Sequence, residues 1–341
     1  MTGHDIDRDR ALAAFQGLGL GDALGMPTQS LSPEQIAADH GRISGLVDAG
    51  PHQEIAAGLP AGTVTDDTEQ AVLLARLLVE HDGAVPLPVY AEALMAWEER
   101  MRARGSLDLL GPSSKAALER LAAGVPAEEA GRFGSTNGAA MRIAPVGIAV
   151  DVSDLPTFVD AVVEVSRGTH DTGLGLAAAA AVGAAVSAGV GGASRHEALE
   201  VALAAAELAG RRGHWVAGGS IAARLRWTLP HLRGLPTADA RLAFVRDVVG
   251  TSVAAQESVV AALGLAATSD DPWATLGLAA SCGGDTDTIA AMAGAVLGAV
   301  SGTAAWPADA VAQVQRVNQL DLAPLVDDLL ALRDRKRGRR G

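Results

Sequence analysis

Apolar residues recur at three- and four-residue intervals along most of the chain, a spacing that places them on one face of an α-helix. Alternating runs of the kind that form half-buried strands are scarce, and no alternation of strand and helix patterns is present. The sequence therefore predicts an all-α fold. The predicted helices cover residues 10–25, 67–81, 87–104, 114–123, 155–167, 174–190, 196–209, 217–229, 238–248, 252–267, 272–281, 287–300, 307–319 and 322–335.

The stretches between these helices are too short and too apolar to be tethers between domains. We therefore expect a single compact multi-helix domain over residues 1–332. The basic run at 333–341 is expected to be a disordered tail. In the first helix, Gly17, Gly21 and Gly25 recur every fourth residue, which predicts a small-residue face for close helix contact.

Composition favours the same fold and excludes several classes of function. Apolar residues make up 49% of the chain but aromatic residues only 3%, so small side chains dominate and helices can approach closely. A net charge of -13 argues against a general nucleic-acid-binding protein, which needs a basic face. The apolar run at 174–190 is short for a membrane span and rich in Ala and Gly, so a buried helix is predicted. The single cysteine, Cys282, and the polar N-terminus suggest a cytoplasmic protein.

Two acidic segments lead directly into apolar helices. Asp66 and Asp67 are adjacent in the first segment, whereas Asp285 and Asp287 are separated by one residue in the second. Aspartates at a helix start can simply cap the free amides and complement the helix dipole. The paired glycines before Asp285, however, let the backbone pass close to a ligand.

If the two segments meet in space, they form a metal site. Four uncompensated carboxylates at the edge of a core repel one another and lose solvation, a cost that divalent cations remove. No Cys or His is interleaved, and oxygen-only donors favour Mg²⁺, with Mn²⁺ as the alternative, over Zn²⁺. Four negative charges balance two such ions, and the segments are therefore predicted to form a binuclear centre for hydrolysis.

Five motifs in a fixed order carry a family resemblance. They are Gly21-Asp22-Ala23-Leu24-Gly25-Met26-Pro27, Thr65-Asp66-Asp67-Thr68, Asn137-Gly138-Ala139-Ala140-Met141-Arg142, Thr169-His170 and Gly284-Asp285-Thr286-Asp287-Thr288. With these motifs the chain resembles the ADP-ribosylglycohydrolase family, which includes the dinitrogenase reductase-activating glycohydrolases, the ADP-ribosyl-acceptor hydrolases and the J1 crystallins. The segments 110–115 and 317–321 are most similar to a bacterial subgroup often encoded beside sugar kinases.

The resemblance implies an all-α enzyme with two Mg²⁺ ions that cleaves the glycosidic bond at the anomeric carbon of a ribose, commonly in ADP-ribose attached to a protein. The implied metal ligands are Thr65, Asp66, Asp67, Asp285, Asp287 and Thr288. Thr68 and Thr286 lie outside this set and are expected to cap helices. Asp22 is expected to have a structural hydrogen-bonding role.

The resemblance also implies substrate contacts by Asn137, Gly138 and His170, the last taken to open the helix at 174–190. One position departs from the family. Many members have a Glu two residues after the Pro of the first motif, where this chain has Gln29, which cannot take a proton. Either Asp67 or Asp285 then acts as the base, or the substrate differs from protein-linked ADP-ribose, or activity is lost.

Two functions of different classes follow from the sequence. One is a hydrolase that acts on an ADP-ribosyl conjugate, such as an ADP-ribosylated protein. Its alternative substrate is a smaller nucleoside-like metabolite. The other is a non-catalytic protein that binds ADP-ribose or has a structural role, as the J1 crystallins suggest. No membrane partner is expected.

Overall fold

The regular structure of the chain is helical throughout the residues that the structure, a computed structural model, describes: 3–106 and 110–338. The α-helices are α1 (Gly3–Gly25), α2 (Pro33–His40), α3 (Asp66–Glu80), α4 (Leu87–Ala103), α5 (Pro112–Ala122), α6 (Ala127–Ala130), α7 (Gly138–Met141), α8 (Ala144–Ala149), α9 (Leu155–His170), α10 (Gly173–Val190), α11 (Arg195–Ala209), α12 (Ile221–Gly234), α13 (Ala238–Phe244), α14 (Ala255–Ala267), α15 (Pro272–Ala279), α16 (Thr286–Ser301), α17 (Ala308–Asn318) and α18 (Ala323–Gly338). No strand occurs within these ranges, where β-type pairing is limited to two isolated bridges. The prediction of an all-α domain is confirmed.

The long helices follow the predicted apolar periods, whereas the shortest helices, α6, α7 and α8, were not predicted. α6, α7 and α8 contain four, four and six residues, too few for a repeat of 3.6 residues to be visible in the sequence. α7 follows Asn137 directly, α8 begins at Ala144, and every residue of both helices is buried.

α1 and α16 pack backbone against backbone through the three predicted glycines. A Cβ atom on Gly17 would lie 2.2 Å from the carbonyl oxygen of Gly294, and one on Gly21 would lie 2.1 Å from that of Ala290. A Cβ atom on Gly25 would lie 2.3 Å from the Cα of Asp287. The predicted close-contact face is confirmed, and it fixes the start of α16 beside the end of α1.

α10 lies at the centre of the domain and packs on α8, α9, α11 and α16. Among the described residues it is the one helix long and apolar enough to cross a membrane, yet 94% of that segment is buried inside the protein. The prediction of a buried helix at 174–190 is confirmed.

The basic tail departs from its prediction, because α18 continues to Gly338. Arg333 is buried, and its guanidinium donates to the carbonyl oxygens of Gly147, Ile148 and Val150 at 3.1, 3.3 and 2.9 Å. These carbonyls belong to the end of α8, where no further helical turn supplies donors. The expectation of a disordered tail was therefore wrong for residues 333–338, which are helical. The sequence shows that this segment is basic, but it does not show that the Arg333 guanidinium is buried. Residues 339–341 lie outside the described residues.

Replacing Arg333 by Met is expected to lower the free energy of unfolding by about 3 kcal/mol, because several buried carbonyls lose their donor. Arg335→Met is the matched control: the Arg335 guanidinium lies 3.3 Å from the Asp82 carboxylate at the surface, and an exposed ion pair contributes less than about 1 kcal/mol. Urea unfolding followed by circular dichroism measures both values. Equal losses in the two variants would show that the Arg333 contacts add no stability.

Candidate metal and substrate site

The two acidic segments meet at the N-termini of α3 and α16. The Thr288 hydroxyl donates to Oδ2 of Asp67 at 3.2 Å, although the two residues are 221 positions apart in sequence. The Thr65 hydroxyl donates to the same oxygen at 3.2 Å. The convergence on which the predicted site depends is thus confirmed.

Asp22, in the last turn of α1, holds the start of α3 in place. Its carboxylate accepts hydrogen bonds from the backbone amides of Thr65 and Thr68, at 2.9 and 3.0 Å, and from the Thr68 hydroxyl. Burial raises the pKa of Asp22 to about 6, although the hydrogen bonds from the two threonines favour the charged form. The predicted structural role of Asp22 is confirmed.

Thr68 and Thr286 were expected to cap helices, but neither caps its own helix: the N-caps of α3 and α16 are Thr65 and Asp285. The Thr68 hydroxyl bonds to Asp22, and the Thr286 hydroxyl donates to the carbonyl oxygen of Gly25 at 3.1 Å. Thr28 also lies 2.9 Å from Thr286, oxygen to oxygen. The two threonines therefore tie α3 and α16 to α1, a role that depends on tertiary contacts and is not visible in the sequence.

A cavity of about 390 Å³ opens beside these helix ends. The predicted site residues that line it are Gln29, Asp66, Asn137, Gly138, Asp285, Asp287 and Thr288. Thr65 and Asp67 are buried behind this surface. The unpredicted lining residue Lys115 adds an exposed amine from α5 to the acidic wall.

Asn137 positions Asp285 as well as lining the cavity. Its side-chain amide donates to Oδ2 of Asp285 and, at 2.9 Å, to the Ser258 hydroxyl, while its backbone amide donates to the Val253 carbonyl at 3.0 Å. Burial raises the pKa of Asp285 to about 6, against the lowering effect of the hydrogen bond from Asn137. Ser258 and Val253 belong to none of the five motifs, and the sequence did not indicate that they contact Asn137.

His170 lies one layer behind the cavity. It ends α9 instead of opening α10, whose N-cap is Thr172, so its predicted position at a helix start was wrong. The imidazole is fully buried, with Nε2 3.0 Å from the Thr136 hydroxyl and Nδ1 2.8 Å from the Thr169 hydroxyl. Burial, with a smaller contribution from the nearby positive charge of Arg142, holds its pKa well below the usual value, so the ring is neutral.

A buried chain of hydrogen bonds connects His170 to the acidic segment. The Arg142 guanidinium donates to the Thr169 hydroxyl and to Oε1 of Gln70, both at 2.7 Å. The Gln70 amide in turn donates to Asp66 at 2.7 Å. Gln70 follows Asp66 by one helical turn, and that spacing was the available sequence signal for its role.

Gln29 faces the same cavity from a rigid segment. The Gln53 side-chain amide donates to the Gln29 carbonyl at 3.1 Å, and the Ser30 amide donates to the Gly284 carbonyl at 2.7 Å. Gln29 is buried, and its Nε2 atom has no hydrogen-bond acceptor among the described residues. The residue that departs from the family pattern therefore belongs to the site itself.

The donor chemistry fits a hard divalent cation, because the converging groups are carboxylates and hydroxyls. Within residues 3–106 and 110–338, no three acidic, His or Cys side chains are gathered closely enough to form a site on their own. The carboxylate oxygens of Asp66, Asp67 and Asp285 instead accept hydrogen bonds from the side chains of Thr65, Thr288, Asn137 and Gln70. Burial raises the pKa of Cys282 to about 12, which removes this thiol as a ligand or nucleophile at neutral pH.

Comparison with known proteins agrees with the geometry. A family model described as ADP-ribosylglycohydrolase matches residues 3–339. The Escherichia coli (strain K12) protein YegU, itself uncharacterized, is 33% identical over 92% of this chain and 94% of its own length. ADP-ribosylarginine hydrolase Tri1 of Pseudomonas putida (strain GB-1) is 27% identical over 95% of this chain and 81% of its own length.

A solved structure titled "ADP-ribosylglycohydrolase-related protein complex" superposes with a TM-score of 0.70 at 27% identity, covering 96% of this chain and 99% of that one. The family match therefore extends over nearly the whole chain and includes both acidic segments. The chain belongs to the ADP-ribosylglycohydrolase family.

Proposed function

We propose that this member of a family of glycosyl hydrolases is a Mg²⁺-dependent glycohydrolase that cleaves the bond at the anomeric carbon of an ADP-ribosyl or related ribosyl conjugate. The observation that carries the proposal is the meeting of both acidic segments at one cavity, with Asp66, Asp285, Asp287 and Thr288 in its wall. A protein that merely capped two helices would not need carboxylates facing a cavity.

Thr65, Asp66, Asp67, Asp285, Asp287 and Thr288 are the residues proposed to hold two Mg²⁺ ions, with Mn²⁺ as the alternative. Bound there, the ions supply positive charge that offsets the aspartates and attracts the hydroxyl oxygens of a ribose. In this proposal the carboxylates of the site also stabilise the oxocarbenium-like charge that develops at the anomeric carbon.

Asp285 is better placed than Asp67 to take the proton of the attacking water. Asp285 faces the cavity and is held there by Asn137, whereas Asp67 is buried and already accepts hydrogen bonds from Thr65 and Thr288. The neutral, buried His170 is proposed to act through Thr136 as a positioning residue and not as a direct substrate contact.

Two candidates remain for the group to which the ribose is linked in the substrate. The relative Tri1 is named as an ADP-ribosylarginine hydrolase, which supports an arginine-linked conjugate, including an ADP-ribosylated protein. Gln29 supports the second candidate, a smaller nucleoside-like conjugate, because a Glu commonly found here in the family is replaced by a neutral amide. A cytoplasmic location stays a prediction from the sequence.

A hydrolysis panel tests the proposal: arginine-, serine- and DNA-linked ADP-ribose and simple ribonucleosides, each with Mg²⁺ and with a chelator. We expect hydrolysis of one class that the chelator abolishes. Gln29→Glu is expected to change the rate on that class by about tenfold, because it adds a titratable charge to the cavity wall. Gln315→Glu, outside the cavity on α17, is the control and should leave the rate unchanged.

Two outcomes would contradict the proposal. Hydrolysis that is equally fast with the chelator would remove the metal requirement. Binding of ADP-ribose without turnover of any member of the panel would favour the non-catalytic alternative.

A further inference from the structure

A second cavity, of about 530 Å³, lies where the start of α10, the end of α11 and the start of α12 come together. Its wall combines three basic side chains and an indole: Arg211, Arg212, His214 and Trp215. The acidic side chain of Glu207, the hydroxyl of Ser220, and glycines and apolar residues such as Leu174 form the remainder. Its volume is within the range of cavities that bind small molecules.

This cavity lies in a basic region of an otherwise acidic chain. Residues 208–238 contain five arginines and two histidines but no Asp or Glu, whereas the whole chain has a net charge of -13. Such a concentration of one sign of charge attracts anionic ligands.

Part of this charge is neutralised by neighbouring residues. Arg212 lies 3.0 Å from Asp160, and the lining residue Glu207 pairs with Arg226. His214, which is charged only when protonated, lies 3.8 Å from Asp171. Arg211 forms no ion pair within the described part of the chain, although its positive charge, after the hydrogen bond from Arg226, helps to lower the pKa of the lining carboxylate Glu207.

Trp215 is 86% exposed, although it is one of the largest apolar side chains in the chain. An indole left in solvent beside a cavity offers a flat face on which an aromatic ring can stack. Trp227, 52% exposed on α12, differs because its ring packs 4.4 Å from His231 and 5.8 Å from Phe244, between centroids. Trp227 does not line the cavity.

We propose that this second cavity binds a free nucleotide, with the planar base on Trp215 and the phosphate at Arg211 and Arg212. A guanidinium pairs with phosphate oxygens through two parallel hydrogen bonds, and an indole stacks on a base. The base and the phosphate of a nucleotide can therefore both be bound by side chains that line this one cavity.

The wall of this cavity is joined by hydrogen bonds to the segment that carries Asn137. The His214 amide donates to the Asp171 carbonyl at 2.8 Å, and the Thr172 hydroxyl donates to the Gly134 carbonyl at 2.6 Å. Gly134 precedes Asn137 by three residues. Nucleotide binding is therefore expected to alter hydrolysis at the acidic site, a consequence that rests on the proposed function.

Calorimetric titration with AMP tests the binding directly and needs no enzymatic activity. Trp215→Ala and Arg211→Ala are each expected to weaken AMP binding by about tenfold, the loss of one stacking or charged contact. Trp227→Ala is the matched control and should bind as the native chain does. Adenosine and inorganic phosphate, which each carry half of the ligand, should bind at least about tenfold more weakly than AMP.

Three results would overturn the inference. The first is no AMP binding to the native chain at about 1 mM. The second is unchanged affinity in both cavity variants, which would place AMP in the acidic cavity. The third is a short single-stranded oligonucleotide that binds far more tightly than AMP, which would assign the basic region to nucleic acid.

A hydrolysis assay with and without AMP tests the connection between the two cavities. The AMP-dependent change in rate should disappear in Trp215→Ala. A change that persists in this variant would show that AMP acts at the acidic site. If no substrate is hydrolysed at all, the proposed function fails while the titration result stands.

Discussion

Asp285→Asn is expected to lower kcat/KM for the best substrate by on the order of 10³-fold. The change removes a negative charge from the cavity wall and the proposed acceptor of the water proton. It keeps the volume of the side chain, which lies against the Asn137 amide. We also expect Mg²⁺ to bind more weakly, because one of the proposed carboxylate ligands is lost.

The control is Asp270→Asn, whose side chain is 92% exposed and does not line the cavity. Calorimetry measures Mg²⁺ binding, steady-state kinetics measures hydrolysis, and circular dichroism shows whether each variant is folded. A folded Asp285→Asn protein with native magnesium affinity and native activity would show that the metal-site hypothesis is wrong.

Gly25→Ala is expected to lower the free energy of unfolding by about 3 kcal/mol. The added methyl group would lie 2.3 Å from the Cα and 2.4 Å from the nitrogen of Asp287, so α1 and α16 have to separate. The separation also moves Asp287 relative to α3, and we expect hydrolysis to fall by about 10²-fold, the effect of a displacement of about 1 Å.

Gly19→Ala on the same helix is the matched control. There the new methyl group would be 3.8 Å from the Thr68 side chain, an ordinary contact. Alanine favours helix over glycine by about 1 kcal/mol, so this variant is expected to be as stable as the native protein or more stable. Chemical unfolding and the hydrolysis assay give both quantities, and similar losses in the two variants would contradict the role of close packing.

The sequence predicted those features that depend on local pattern. Helical periods were sufficient for the long helices, and the spacing of Gly17, Gly21 and Gly25 predicted the contact between α1 and α16. Aspartates directly before an apolar helix are also typical caps, so the acids of the site were identifiable chiefly because both acidic segments match motifs of the family.

The features that the sequence did not predict depend on tertiary contacts. Arg142 connects Gln70 to Thr169 only because α7, α3 and α9 meet, and Ser258 reaches Asn137 from α14. His170 was assigned to the wrong helix because the boundary between α9 and α10 is set by Thr172, whose hydroxyl accepts from the Gly175 amide. Arg333 was taken for a tail residue because its acceptors lie about 185 positions earlier.

The pairing of α1 with α16 has a consequence for how the protein is made. The first helix of the chain contacts a helix that begins at Thr286, so this contact has a very high sequence separation. Contacts of this kind form late, since a long loop must close before they contribute. During synthesis the ribosome therefore has to complete most of the polypeptide before the Asp22 carboxylate, the α3 terminus and the Asp285 segment can assemble. A nascent chain that ends before α16 therefore leaves the glycine face of α1 without the helix that it packs against in the complete protein.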